Sequence, residues 1–253
     1  MNERLKNRIV PIVVAVLAVT GGVAAIGASP HETTIGAYST SITQRTRSQR
    51  FNARLALGRL VGAVIPAGQD FSFNGRVGTF SRDQGFRKAP VSYNGQLIDD
   101  WGGGVCQTST TLYNAALLAG MQIIERNRHQ FAPSYVPPGR DAAVAYSNID
   151  LRFRNPYDYP VRIDGRIEGG RLMISLIGQA PLKVRPEVVS DVQSIEDPTT
   201  FEVGAPNGRR RVRNTGKLGC NVAVYRITGK VRELISEDNY PAMNRVVEVR
   251  ADP

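Results

Sequence analysis

The sequence predicts an α+β fold, in which a helix opened by a cysteine packs on an antiparallel sheet and a small C-terminal β extension follows. Three observations lead there. Residues 106–119 set Leu112, Ala115, Ala116 and Ala119 on one face before Gly120, the period of an amphipathic helix with a glycine stop. Runs from Pro160 to Ile167 and Leu172 to Ile177, split by Glu168-Gly169-Gly170, read as strands of a meander. Beyond the boundary marked by Pro181 and Pro186, further β runs at 210–212, 223–227, 231–235 and 246–249 make the extension.

The N-terminus decides the compartment. Arg4, Lys6 and Arg8 precede an apolar run from Ile9 to Ala28, broken by Pro11 and Gly21-Gly22, which is the pattern of an export signal. At about 20 residues the run is also long enough to stay as an uncleaved membrane anchor. Ala25-Ile26-Gly27 and Ile26-Gly27-Ala28 offer small residues for signal peptidase, so cleavage stays open. The chain is thus divided into a signal or anchor over 1–30, a main domain over 31–180 and the β-rich extension over 181–253. Everything after Pro30 is expected on the extracytoplasmic face of the membrane or in the wall.

A net charge of +10, spread along the chain, favours a polyanionic partner. With an export signal present, that means wall polymer or acidic lipid and not nucleic acid. A basic surface kept for solubility is the equal alternative. Hydrophobic content of 42% and charged content of 21% exclude a disordered chain as the default.

In chain order, a polar linker leads to an amphipathic helix over 42–65, where Phe51, Leu55, Leu60, Val61 and Val64 recur near helical spacing with Arg47, Arg50, Arg54 and Arg59 interspersed. Pro66-Ala67-Gly68-Gln69 ends it. Phe71-Ser72-Phe73-Asn74 opens an extended, glycine-punctuated stretch of strands or ordered loops. After the cysteine helix, 121–125 reads as a short strand, and 143–146 and 150–153 as two more.

Candidate chemistry centres on Cys106 in Gly102-Gly103-Gly104-Val105-Cys106-Gln107. A cysteine in a helix's first turn has its thiolate stabilised by the positive end of the dipole. The three glycines are expected to clear space before the sulfur and let backbone N–H groups converge there. His31 lies in the linker, so His129 is the candidate base, and Asp141 is the candidate orienter of its ring. The backbone N–H of Cys106, with that of Gln107, would hold an oxyanion, and Trp101 would wall the cleft or fill the core. The order of Cys, His and Asp resembles papain-like and transglutaminase-like cores, which makes such a core the expected fold. No cofactor or metal is called for, since one Cys, one His and one Asp fall short of a four-ligand site. Pairing of Cys106 with Cys220 is the bland alternative for an exported chain, but the two belong to separate regions and are expected to stay free.

The run Asp100-Trp101-Gly102-Gly103-Gly104-Val105-Cys106-Gln107-Thr108-Ser109-Thr110-Thr111-Leu112-Tyr113-Asn114-Ala115-Ala116 resembles the signature of the VanW family. Tyr135-Val136-Pro137-Pro138-Gly139-Arg140-Asp141-Ala142 is similar to that family's second block, and the likeness runs from Phe71 to Gly178. The resemblance implies a bacterial, mostly Gram-positive, envelope protein connected with peptidoglycan and first noticed in vancomycin-resistance gene clusters. Gln130 stands where the family usually has a serine after the histidine. Two functions remain open: a cysteine acyltransferase or amidase acting on wall peptides, and a non-catalytic module that binds peptidoglycan or another wall polymer.

Overall fold

The computed structural model of the chain describes residues 32–93, 96–146, 148–204 and 210–249; the expected export segment and His31 lie outside them. The elements run β1 (Thr33–Ser41), α1 (Arg47–Leu60), β2 (Val64–Ile65), β3 (Asp70–Ser72), α2 (Phe73–Val77), β4 (Lys88–Tyr93), β5 (Gln96–Trp101), α3 (Val105–Leu118), β6 (Gln122–Glu125), β7 (Arg152–Arg154), β8 (Val161–Glu168) and β9 (Arg171–Gly178). The extension adds β10 (Glu187–Glu196), β11 (Thr200–Gly204), β12 (Arg211–Asn214), β13 (Gly219–Thr228), β14 (Val231–Tyr240) and β15 (Arg245–Val249).

This architecture corrects the expected fold class. A papain- or transglutaminase-like core would gather its strands into one sheet under the cysteine helix. Here, among the described residues, the strands divide among five small sheets, ordered β1-β9-β8-β2, β3-β7-β6, β4-β5, β10-β13-β14 and β11-β15-β12. All pairings are antiparallel except β11 with β15. The cause is local: β6 is four residues long and pairs with β7, which turns to β3, while the β8–β9 hairpin pairs outward to β2 and β1. The described residues between 126 and 151 therefore hold no named helix or strand and are tied by the bridges Asn127 to Ala143 and Ala145 to Ile149. Among the described residues the extension holds six strands in two sheets, where four β runs were expected.

Helix α1 starts at a capping box, with Gln49 N–H donating to Thr46 Oγ1 at 3.1 Å and Thr46 N–H to Gln49 Oε1 at 3.0 Å. It buries Asn52, Ala53, Ala56, Leu57 and Leu60 and ends short of the expected Ile65, because Gly62 takes a left-handed φ of 80°. Helix α3 is buried on nearly every side. Most of its buried polar side chains are bonded, the Tyr113 hydroxyl excepted: Thr111 Oγ1 lies 2.9 Å from Thr40 Oγ1, and Thr108 Oγ1 donates to Ala53 O at 3.2 Å. The helix packs on β1 and β9.

Residues 33–41, expected as linker, form β1 because Ile35, Gly36 and Thr40 turn inward. Gly36 is required there, since a Cβ would sit 2.4 Å from Ala119 N. Among the described residues no helix is long and apolar enough to cross a membrane.

Candidate functional site

The site assembles where α3 begins. Gly104 caps the helix with φ 104°, a left-handed value, and Cys106 is second in the helix. Val105 N–H and Gln107 N–H turn back onto Gly102 O at 2.9 Å and Gly104 O at 3.2 Å. That engages the Gln107 N–H expected to serve an oxyanion.

The glycines do a different job from the one expected. A Cβ on Gly102 would meet Phe80 Cβ at 2.6 Å, one on Gly103 Ala89 O at 2.7 Å, and one on Gly104 Gln49 O at 2.4 Å. They let the loop lie directly on β4 and α1. Asn52, fully buried, clamps it there: its amide donates to Gly103 O at 2.9 Å and Arg87 O at 2.8 Å, and Arg87 N–H returns a bond of 2.8 Å. Gln107 is likewise buried, accepting from Arg45 Nε at 2.7 Å and donating to Thr40 Oγ1 and Ser41 O. Trp101 ends β5, half-buried beside the Lys88 ammonium. The five residues expected to line a substrate cleft thus have structural partners of their own.

The three chemical residues do meet. His129 and Asp141 both lie on the 126–151 loop. Asp141 Oδ2 accepts from His129 N–H at 2.7 Å and bonds His129 Nδ1 at 2.6 Å. Bonding at Nδ1 leaves Nε2 clear of Asp141, and the Cys106 thiol lies near enough to the ring for each to shift the other's titration. The Cys106 thiol also donates to Val144 O at 3.4 Å. Helix α3 sets the height of Asp141 by holding both of its neighbours. Ser109 Oγ donates to Ala142 O at 2.7 Å, Ala142 N–H to Thr110 Oγ1 at 3.0 Å, and Asn114 Nδ2 to Arg140 O at 2.7 Å. Cysteine and carboxylate are therefore referenced to one rigid element.

Three further residues complete the site without any sequence signal. Arg126 Nη2 donates to Asp141 Oδ1 at 2.9 Å, and its Nη1 reaches both oxygens of Asp238 at 2.7 and 2.6 Å. Tyr240 OH donates to Asp141 Oδ1 at 2.5 Å and accepts from Gly139 N–H at 3.2 Å. Asp238 and Tyr240 stand on β14, so the C-terminal extension buttresses the carboxylate. Val222 and Val224 of β13 press on Gly139, whose φ is 79°.

These contacts set the charges. Burial alone would raise the Cys106 thiol, but the bond to His129 and that ring's charge bring its pKa below the ordinary value. Burial would lower His129; bonds to Asp141 and Cys106 outweigh it and raise the ring to about 10. Asp141 is held down at about 2 despite burial by His129, Arg126 and Tyr240. Cys220 is pushed up by burial, and both cysteines are free, as expected. Among the described residues no cluster of three His, Cys, Asp or Glu is placed to hold a metal.

Fold and site together define a mainly antiparallel β protein with a Cys–His–Asp constellation at the first turn of a buried helix. The chain belongs to the VanW family: the family model described as "VanW like protein" matches residues 48–177. It is 39% identical over 142 residues to "Uncharacterized protein YoaR" of Bacillus subtilis, covering 56% of this chain and 47% of that one. It is 33% identical over 118 residues to "Vancomycin B-type resistance protein VanW" of Enterococcus faecalis, covering 45% and 43%. The matched regions thus span less than half of either relative. A solved structure, "IgA1 Protease G5 domain structure", aligns with 27% of this chain and 95% of its own at 25% identity, with a TM-score of 0.19.

Proposed function

We propose that the protein works at the bacterial cell wall, outside the cytoplasmic membrane, and that Cys106 is a nucleophile toward amide bonds of wall peptides. The wall assignment rests on family membership and on the resistance protein among its relatives. One observation carries the chemistry: Cys106, in the first turn of α3, neighbours a histidine that a buried carboxylate holds by Nδ1 at 2.6 Å.

In this reading the Cys106 thiolate attacks the amide carbonyl, and the carbonyl oxygen takes up the displaced electron pair as an oxyanion. The N–H of Cys106, among the first-turn donors that a helix leaves without an intrahelical acceptor, faces that charge. Collapse breaks the C–N bond, the imidazolium of His129 protonates the leaving amine, and a thioester remains on sulfur. Water or a second amine then releases the acyl group, with His129 taking its proton.

A second reading is a non-catalytic module that holds wall peptide or polymer, and the comparisons, which name no enzymatic activity for either relative, lean toward it. Two structural observations favour it as well: the thiol donates to Val144 O, as a resting neutral cysteine would, and the glycines and Gln107 are committed to packing. The two are separated by mass spectrometry of peptidoglycan fragments incubated with wild type and with Cys106→Ala. Cleaved or transferred peptides with the wild type alone are expected. Unchanged fragments bound equally by both proteins would give the site to binding.

A further inference from the structure

Away from Cys106, the exposed face of α1 and the β8–β9 turn enclose a cavity of about 380 Å³. Arg47, Arg50, Arg54 and Arg87 line it together with the apolar Ile42 and Phe51. No carboxylate lines it, and among the described residues none of the four arginines takes part in an ion pair. Four guanidinium groups around one concavity repel one another unless an anion sits between them. Two are fixed in place. Arg50 Nη1 donates to Arg45 O at 2.8 Å and Thr43 O at 3.4 Å, and the Arg87 guanidinium stands 3.6 Å from the Phe51 ring centroid. Arg47 and Arg54 have no hydrogen-bond acceptor among the described residues, which leaves their planar donor forks for a ligand.

We infer that this cavity binds a phosphate-bearing polyanionic chain, with Arg50 and Arg87 as fixed walls and Arg47 and Arg54 as closing clamps. The spacing asks for more than one negative group: Arg47 and Arg54 are two turns apart on one face of α1, about 10 Å along the axis. The concavity suits a chain segment in preference to a flat membrane, and its apolar lining residues suit the carbon body between successive phosphates. The helix terminus itself contributes nothing, because Thr46 and Gln49 already close it with a capping box. The site extends the wall assignment by naming the chemistry of a second ligand. It does not depend on what Cys106 does.

Titration calorimetry of the full chain with tripolyphosphate at physiological ionic strength tests it. Arg47→Gln/Arg54→Gln is expected to weaken binding by about tenfold or more, since each removes a charge-assisted bidentate contact. Arg82→Gln/Arg185→Gln, exposed positions outside the cavity, removes the same charge and should leave affinity within about twofold. Phosphatidylglycerol and phosphatidylcholine vesicles run beside it, so that any N-terminal anchor is common to both. Equal weakening in the two double variants would reduce the site to general surface charge and overturn the inference. So would a preference for phosphatidylglycerol vesicles without tripolyphosphate binding, which would give the arginines to a membrane. Failure on either count leaves the Cys106 chemistry untouched, because Cys106→Ala alone is expected to bind tripolyphosphate as the wild type does.

Discussion

Asp141→Asn is expected to cost about 3–5 kcal/mol of folding stability, read by urea denaturation at neutral pH, because it breaks a buried charge network. The carboxylate is fully buried. One oxygen accepts from Arg126 and Tyr240, and the other from the N–H and ring of His129. Asparagine has one acceptor and one donor, so either orientation turns an NH₂ toward two donors. The effect also has a pH signature. Asp141 is depressed from 3.8 to about 2, so its contribution is present above its unfolded value and is lost as pH falls through the folded one. That step is worth roughly 2 kcal/mol, and the wild type should lose it between about pH 4 and pH 2 while the variant shows no such step. His129 acts in the opposite sense: raised from 6.5 to about 10, it stabilises most fully below its unfolded value and ceases to do so as pH rises through its folded one.

Gly104→Ala should be the most damaging single change in the glycine block, at about 2–4 kcal/mol by the same measurement. Its φ of 104° is a backbone state that alanine rarely adopts, and the new Cβ would fall 2.4 Å from Gln49 O, a backbone atom of α1. The helix would have to move as a body. Gly58→Ala in the same helix supplies the contrast, since its Cβ would meet nothing within 4 Å, and a gain of about 0.5–1 kcal/mol is expected there. Equal effects at the two positions would show that the block is not packed against α1 as described.

That Cys106, His129 and Asp141 come together was more legible in the sequence than the architecture was. Cys106, His129 and Asp141 were legible because the described chain has a single histidine and a glycine block that ends at a helical period. Helix α3 and the β8–β9 hairpin were legible for the same reason, since each buries a face of regular spacing. The fold class was not, because which strands share a sheet depends on turns and pairings that periodicity does not record. Strand β1 was hidden by its Thr and Ser content, and β10 by a pattern with no fully buried position. Arg126, Asp238 and Tyr240 were out of reach for a different reason. Tyr240 lies 99 residues from Asp141 along the chain, and only the folding of the extension onto the 126–151 loop joins them. The glycines have a packing role that the sequence did not disclose: they admit Gln49, Ala89 and Phe80.

The most direct test of the central claim is the rate of Cys106 alkylation by iodoacetamide against pH, with modified sites mapped by peptide mass spectrometry. Cys220, buried and raised in pKa, serves as the slow internal standard. If His129 holds Cys106 toward thiolate, the wild type reacts fast near neutral pH, and His129→Ala slows it by about ten- to a hundredfold and moves its profile up toward an ordinary thiol. A wild-type Cys106 that reacts no faster than Cys220, with a profile unmoved by His129→Ala, would contradict the account.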